Sequence, residues 1–134
     1  MFRTDLQKLA VARVADARAL RAAGRNDAAF YLAGMAVECA LKACIAAKRQ
    51  RYEFPDRKLA ERAGAHDLER LLDLADLSSE MLVAPPAVLD NWSVVRAWKV
   101  DVRYLLVKSA SESDAFLKAV SGRGGVLPWV KQRW

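Results

Sequence analysis

Residues 28–47, AAFYLAGMAVECALKACIAA, are the stretch that decides the fold. This stretch is apolar almost all round, and Glu38 and Lys42 are its only charged residues. A helix that is apolar on every side is surrounded by other elements, so the stretch predicts the central helix of a bundle, from about Asp27 to Arg49. Its many small side chains allow neighbouring backbones to approach closely.

Helical patterns continue on both sides of this central helix. Asp5–Ala23 has an amphipathic stripe, Gly24 is a typical helix stop, and Asn26 is a suitable cap for the central helix. Residues 50–65 are polar and predict a loop, after which His66–Asp67 opens a third helix. We therefore expect the central helix to be flanked by amphipathic helices that bury their apolar faces against it.

The last third of the chain predicts two more helices. Pro86 suits the first turn of a helix that runs to about Trp98, and Lys99–Val107, rich in β-branched residues, predicts an extended connection. Ser111 and Asp114 resemble a capping box at the start of a final helix, and Trp129 and Trp134 in the tail that follows are expected to dock on the bundle or on a second subunit. The predicted fold class is an all-α, up-and-down bundle of four to five helices in one domain, residues 1–134.

Composition and cysteine usage limit the class of protein. The 134 residues are 54% hydrophobic and 28% charged, a balance typical of a single soluble domain. We expect a cytoplasmic protein without membrane insertion, since the sequence shows neither a long uninterrupted apolar run nor an apolar signal region. Cys39 and Cys44 point about 140° apart on a helix, which predicts two buried thiols and no disulfide. With a single histidine, His66, no zinc pattern is complete, and we predict no metal and no cofactor.

The net charge of +6 is unevenly distributed along the chain. Residues 1–62 carry +6, residues 63–90 carry −5 and residues 91–134 carry +5. This pattern is compatible with a basic face for phosphates and equally with an ordinary solvated surface. The densest basic stretch supplies the candidate nucleic-acid contacts Lys48, Arg49, Arg51, Arg57 and Lys58.

Two parts of the sequence resemble a known family. Residues 29–43, with small residues and the Glu38–Lys42 spacing, are similar to the second helix of HEPN domains (higher eukaryotes and prokaryotes nucleotide-binding). Short motifs later in the sequence extend the resemblance over nearly the whole chain. They are Phe54-Pro55-Asp56, His66-Asp67-Leu68, Asn91-Trp92, Trp98 and Asp101-Val102-Arg103-Tyr104. The resemblance implies a four- or five-helix bundle, commonly a homodimer, that acts on RNA or nucleotides. Some members work beside a minimal nucleotidyltransferase in a toxin–antitoxin pair.

The chain departs from the family at the nuclease signature. Nuclease members carry an arginine, then four to six residues, then a histidine, often with a tyrosine two positions later. Here Arg96, Val102 and Tyr104 keep that outline, but valine replaces the histidine. Valine cannot transfer a proton, and His66 lies at the start of another helix, outside the pattern. We therefore predict no catalytic residues and no metal-independent RNA cleavage.

The remaining polar residues define a candidate ligand site. A carboxylate in an apolar helix is expensive unless it is paired, so Glu38 is expected to bind Lys42, one turn away, or a more distant arginine such as Arg103. Arg96 and Arg103 stand among aromatic residues, a setting that suits phosphate binding and base stacking. The candidate ligand-binding residues are Glu38, Lys42, Arg96, Arg103 and Tyr104.

Three hypotheses of function follow, of which the third, an enzyme that uses a changed site, has no positive support in the sequence. In the first, the protein is a module that binds RNA or a nucleotide without ribonuclease activity. In the second, it is a protein-interaction subunit of a toxin–antitoxin-type pair with a minimal nucleotidyltransferase, and its basic charge is incidental. RNA retention that weakens with salt would favour the first hypothesis, because phosphate contacts release counterions.

Overall fold

Residues 2–48 and 66–134, which the computed structural model describes, form a bundle of α-helices, as the sequence predicts. The described part contains more and shorter helices than the four to five expected. They are α1 (Arg3–Ala22), α2 (Asn26–Ala47), α3 (Leu68–Leu74), α4 (Ser78–Leu82), α5 (Pro86–Val95), a 3-10 turn (Val100–Tyr104), α6 (Ala110–Ser121) and α7 (Val126–Lys131).

Helices α1 and α2 form a hairpin that is closed by a glycine turn. Gly24 has a φ of +78°, a left-handed conformation that favours glycine, and the Arg25 amide donates to the Leu20 carbonyl at 2.8 Å. The predicted cap at Asn26 is wrong: Asn26 is the first residue of α2, and Arg25 precedes the helix without a side-chain cap. The turn is so short that Asn26 has already entered the helix.

Helix α2 lies at the centre of the bundle and contacts α1, α3, α6, α7 and the 3-10 turn. One close contact of α2 is with Trp98, whose buried indole covers Gly34. A Cβ atom at position 34 would lie 2.1 Å from the indole ring, so only glycine fits there. This contact fixes Trp98, and with it the start of the segment that carries the 3-10 turn.

The length and composition of α2 would also allow it to cross a membrane, with a mean hydropathy of 1.5. In the structure, 67% of its most apolar window is buried inside the bundle. A core helix and a signal sequence share this composition, so the cytoplasmic location stays a prediction.

Local sequence signals place α3 and α5 correctly. Asp67 caps α3, since its carboxylate accepts from the amides of Glu69 and Arg70. Pro86 is the first residue of α5, as predicted, but the helix ends at Val95 rather than Trp98. The chain turns at this point because Trp98 is drawn into the core against α2.

Two predictions after Trp98 need correction. The first half of the expected extended segment is a 3-10 turn, Val100–Tyr104, closed by the Leu105 amide on the Val102 carbonyl at 3.1 Å. Among the described residues no strand pairs with this segment, and local hydrogen bonds satisfy backbone groups in it. Leu105 itself is extended, with φ −109° and ψ 150°. The capping box lies two residues earlier than expected, at Ser109 and Glu112.

The carboxyl-terminal tail docks on the bundle, as predicted. Trp129 is buried in α7, and Trp134 packs against Leu6 of α1 and the end of α2. Cys39 and Cys44 are both buried free thiols, in agreement with the helical geometry of their spacing.

Candidate functional site

Glu38 is a buried carboxylate with two cationic or proton-donating neighbours. Its side chain is 1% exposed, and its Oε1 atom lies 2.8 Å from Lys42 Nζ and 2.6 Å from His66 Nδ1. The predicted pair with Lys42 is therefore confirmed, whereas Arg103 contacts a tyrosine elsewhere. An unpaired carboxylate is energetically expensive when it is buried. The contacts with Lys42 and His66 therefore stabilise Glu38 in the core, and they hold both partners in place.

The contact with Glu38 holds the ring of His66 in one orientation. Nδ1 of His66 faces Oε1 of Glu38, and the tautomer of the imidazole decides which atom donates. Nε2 lies on the opposite side of the ring, away from Glu38. The His66 side chain is 39% exposed, so this outer edge is within reach of a ligand. Among the described residues, Oε2 of Glu38 has no hydrogen-bond partner.

Arg103 forms a second polar group, at the 3-10 turn. Its guanidinium lies 4.8 Å from the centroid of the Tyr104 ring. Hydrogen bonds with the side chains of Tyr104 and then Tyr31 raise the pKa of Arg103 above its ordinary value. Within the described part of the chain, no carboxylate forms an ion pair with Arg103. Its charge is therefore available to an anion that also stacks on a tyrosine.

One stripe of α2 connects these two groups. Tyr31, Met35, Glu38 and Lys42 lie within about 60° of one another around the helix axis, given about 100° per residue. All except Glu38 are partly exposed. Arg103 lies at the Tyr31 end of the stripe and His66 at the Glu38–Lys42 end. We call this surface the α2 stripe.

Arg96 belongs to a different part of the surface. Its Nη1 atom lies 3.1 Å from Oε1 of Glu69, and both side chains are exposed. Arg96 and Trp92 line a groove of about 430 Å³ between α3, α4 and α5. Arg96 and Arg103 thus have different partners in the structure, Glu69 for Arg96 and Tyr104 for Arg103, and ligand binding by Arg96 stays a prediction.

Val102, at the position of the missing signature histidine, is a core residue. Its side chain is 5% exposed and belongs to the main hydrophobic cluster. A buried aliphatic side chain neither contacts a ligand nor transfers a proton. The position therefore contributes to packing and not to acid–base chemistry.

Most of the predicted basic stretch lies outside the described residues. Lys48 is exposed, and its Nζ atom lies 3.4 Å from a carboxylate oxygen of Asp76. The other members of that set are Arg49, Arg51, Arg57 and Lys58, and all four fall between residues 48 and 66. Nucleic-acid contact by this stretch stays a prediction.

The structure also reveals an exposed apolar segment beside Arg103. Tyr104, Leu105, Leu106 and Val107 are all exposed, and Leu106 is 92% exposed. The segment is tied to the start of α2, because Asp27 Oδ1 accepts from the Val107 and Lys108 amides at 2.9 Å each. The sequence signal for it was the run of three apolar residues after Tyr104.

His66 is the site residue that sequence reasoning missed. Its place in the sequence predicts only a residue of a helix start, yet it contacts a carboxylate 28 positions earlier in the chain. The available signal was Glu38 itself, because a carboxylate in an apolar helix has more acceptor capacity than Lys42 alone can satisfy.

Comparisons with protein families, with curated proteins and with solved structures gave no match to this chain. The HEPN resemblance therefore stays an interpretation of the sequence, and the site is described from its own geometry.

Proposed function

We propose that the protein is an RNA- or nucleotide-binding module without ribonuclease activity. The observation that carries this proposal is the exposed guanidinium of Arg103, which is held on the Tyr104 ring and is free of carboxylate partners among the described residues. A cation beside an aromatic face suits a ligand that combines phosphate with a planar base.

Two further features support binding rather than cleavage. Residues 91–134 carry a net charge of +5, which attracts polyanions to the end of the chain that contains Arg103. The signature position is occupied by Val102, which is buried and has no proton to transfer. The expected activity is therefore retention of intact RNA.

A gel-retention experiment with labelled structured RNA tests the proposal. The RNA is mixed with the wild-type protein, Arg103→Ala, or Arg123→Ala at about 50 and about 200 mM salt. Arg123 is an exposed arginine between α6 and α7, so its replacement removes the same charge elsewhere. We expect intact RNA to be retained at low salt, with the loss of retention confined to Arg103→Ala. Cleavage of the RNA, or equal retention by both variants, would refute the proposal.

The exposed segment Leu105–Val107 favours a second candidate function, protein interaction. Three consecutive exposed apolar residues are typical of a surface that a partner covers. In this case a nucleotidyltransferase encoded beside the protein is the expected partner. Co-expression of the two proteins should then give co-purification that Leu106→Asp abolishes, while RNA retention by the variant is unchanged. Independent elution of the two wild-type proteins would exclude this candidate.

A further inference from the structure

We propose that the groove between α3, α4 and α5 is a docking site for a basic amphipathic helix of a partner protein. The apolar face of that helix lies on the floor of the groove, and its lysines or arginines pair with acidic residues on the two walls. This inference goes beyond the proposed function, because it concerns a surface that contains neither Arg103 nor the 3-10 turn.

The groove has an apolar floor. Leu72 of α3, Met81 of α4 and Trp92 of α5 line it, and all three side chains are buried. Leu82 lines the same groove and is 77% exposed, and the neighbouring Val83 is exposed as well. Large exposed apolar side chains at the edge of an apolar groove are typical of a surface that a partner covers.

The shape of the groove suits a helix. Its α5 wall follows the i, i+3, i+4, i+7 spacing of one helix face, with Leu89, Trp92, Ser93 and Arg96. Such a face usually packs on another helix, yet α5 packs on α6 and α7 and α3 packs on α2, with the groove between them. From Leu89 to Arg96 the wall is about 10 Å long at 1.5 Å per residue, so about two turns of a partner helix fit along it.

The charge around the groove selects a basic partner. Residues 63–90, which include α3 and α4, carry a net charge of −5. Four acidic residues of this segment already have a partner within the chain, namely Asp67, which caps α3, and the ion-paired Glu69, Asp76 and Glu80. Within the described part of the chain, Asp73 and Asp90 take part in no ion pair. Their charges are available to a cationic partner, whereas a polyanion is repelled.

Asp73 and Asp90 lie on opposite walls of the groove. The hydroxyl of Ser78, which lines the groove, lies 3.4 Å from Oδ1 of Asp73 on α3. Asp90 lies on α5, about 60° around the helix axis from Ser93, which also lines the groove. Both aspartates are exposed. A helix that turns its apolar face to the floor therefore has a negative charge beside each of its flanks, and lysines or arginines there are complementary to them.

Fluorescence anisotropy with a labelled model peptide tests the inference. The peptide has about 15 residues, enough to form a helix, with leucines at i, i+3, i+4 and i+7 and lysines on both flanks. One control peptide has the same composition in scrambled order, and a second has glutamates in place of the lysines. The test variants are Leu82→Asn, which removes an apolar contact without adding a charge, and the double variant Asp73→Asn with Asp90→Asn.

Matched control variants carry the same changes elsewhere on the surface. Leu106→Asn replaces an exposed leucine outside the groove, and Asp16→Asn with Glu112→Gln neutralises two exposed carboxylates outside it. All the replaced side chains are exposed, so each variant is expected to fold, and circular dichroism checks that it does.

We expect the wild-type protein to bind one lysine peptide per chain, about tenfold more tightly than either control peptide. Leu82→Asn should weaken this binding about tenfold, because a leucine contact with the peptide is lost. The double variant should weaken it about threefold at low salt and by less at moderate salt, because exposed ion pairs are weak and screened. The control variants should bind the peptide as the wild type does.

The outcomes either support this docking site or overturn it. Equal affinity for the lysine and glutamate peptides shows that the charge of the groove does not select the partner. Absence of binding, equal binding of the scrambled peptide, or equal weakening by Leu82→Asn and Leu106→Asn shows that the groove does not hold the helix. A wild-type dimer that Leu82→Asn converts to a monomer in analytical ultracentrifugation identifies a second copy as the occupant and also overturns the inference. None of these results bears on the retention of RNA, which depends on Arg103.

Discussion

At the scale of single residues, the Glu38–Lys42 pair of α2 predicts that replacing one member destabilises the fold more than replacing the other. Lys42→Met leaves Glu38, 1% exposed, with a buried charge and His66 as its remaining partner among the described residues. Glu38→Met leaves Lys42 and His66, both of which can reach water. We therefore expect Lys42→Met to lower the free energy of unfolding by about 3 kcal/mol and Glu38→Met to lower it by clearly less. Urea titration of both variants measures the difference, and equal losses would contradict this account of Glu38.

A second prediction at this scale concerns Gly34. The Cβ of alanine would lie 2.1–2.4 Å from Cε2, Nε1 and Cδ1 of Trp98, so the indole has to move. We expect Gly34→Ala to lower the free energy of unfolding by about 3 kcal/mol, at the upper end for overpacked cores. Trp98→Phe removes that edge of the ring, so the double variant should lose much less than the sum of the two single losses. Additive losses, measured by thermal and urea unfolding, would show that the ring does not meet the methyl group.

At the scale of elements, Asp27 holds the exposed segment that follows the 3-10 turn. Its carboxylate accepts from two successive amides, Val107 and Lys108. Asp27→Ala should release these amides and cost about 1–2 kcal/mol of stability, because hydrogen bonds to a charged group are lost. Hydrogen exchange at the two amides should accelerate. Asp27→Asn, which keeps an acceptor oxygen, should preserve most of the protection, and slow exchange in Asp27→Ala would exclude the anchoring role.

Elements with strong local signals were predictable from the sequence. α1 and α2 have long, regular patterns and were placed within two residues. α4, Ser78–Leu82, is too short for any periodicity to indicate it. The 3-10 turn was mistaken for extended chain because Val100 and Val102 favour strands locally, whereas burial of Trp98 and Val102 decides the backbone path.

Whether a contact is local or distant in the chain also decides which parts of the candidate site the sequence predicts. The Glu38–Lys42 pair follows from a spacing of four and was predicted. The His66 partner depends on how α3 packs against α2, which no local pattern indicates. The capping box predicted at Ser111 and Asp114 does not form, and Asp114 instead pairs with Arg21 of α1 at 2.7 Å, a long-range contact that the local pattern does not indicate.

At the scale of the whole molecule, the buried thiols predict how stability depends on pH. Burial raises the pKa of the Cys44 thiol from 9.0 to about 12, and burial followed by the charge of Glu38 raises that of Cys39. Below pH 9 both thiols are protonated in the folded and unfolded chain, so they do not affect stability. Above pH 9 only the unfolded chain releases these protons, so the free energy of unfolding falls, by about 1.4 kcal/mol per pH unit for each thiol, until the folded thiols also ionise.

Thiol chemistry and unfolding measurements check this prediction. Iodoacetamide at pH 8 should leave both cysteines unmodified in the native protein and alkylate both in urea. Cys44→Ala should flatten the decline of stability between pH 9 and about 12, at the cost of a small cavity. Rapid alkylation of the native protein would show that the core is open to solvent.

The glycine turn between α1 and α2 has a consequence for the order in which the protein folds. Contacts between two helices joined by such a short turn are local in the chain, so their closure costs little entropy and we expect this hairpin to form first. Arg103 and His66 belong to segments that join the hairpin afterwards. During synthesis, the nascent chain would therefore form its helical nucleus well before the segment with Arg103, on which the proposed binding of RNA depends, is in place.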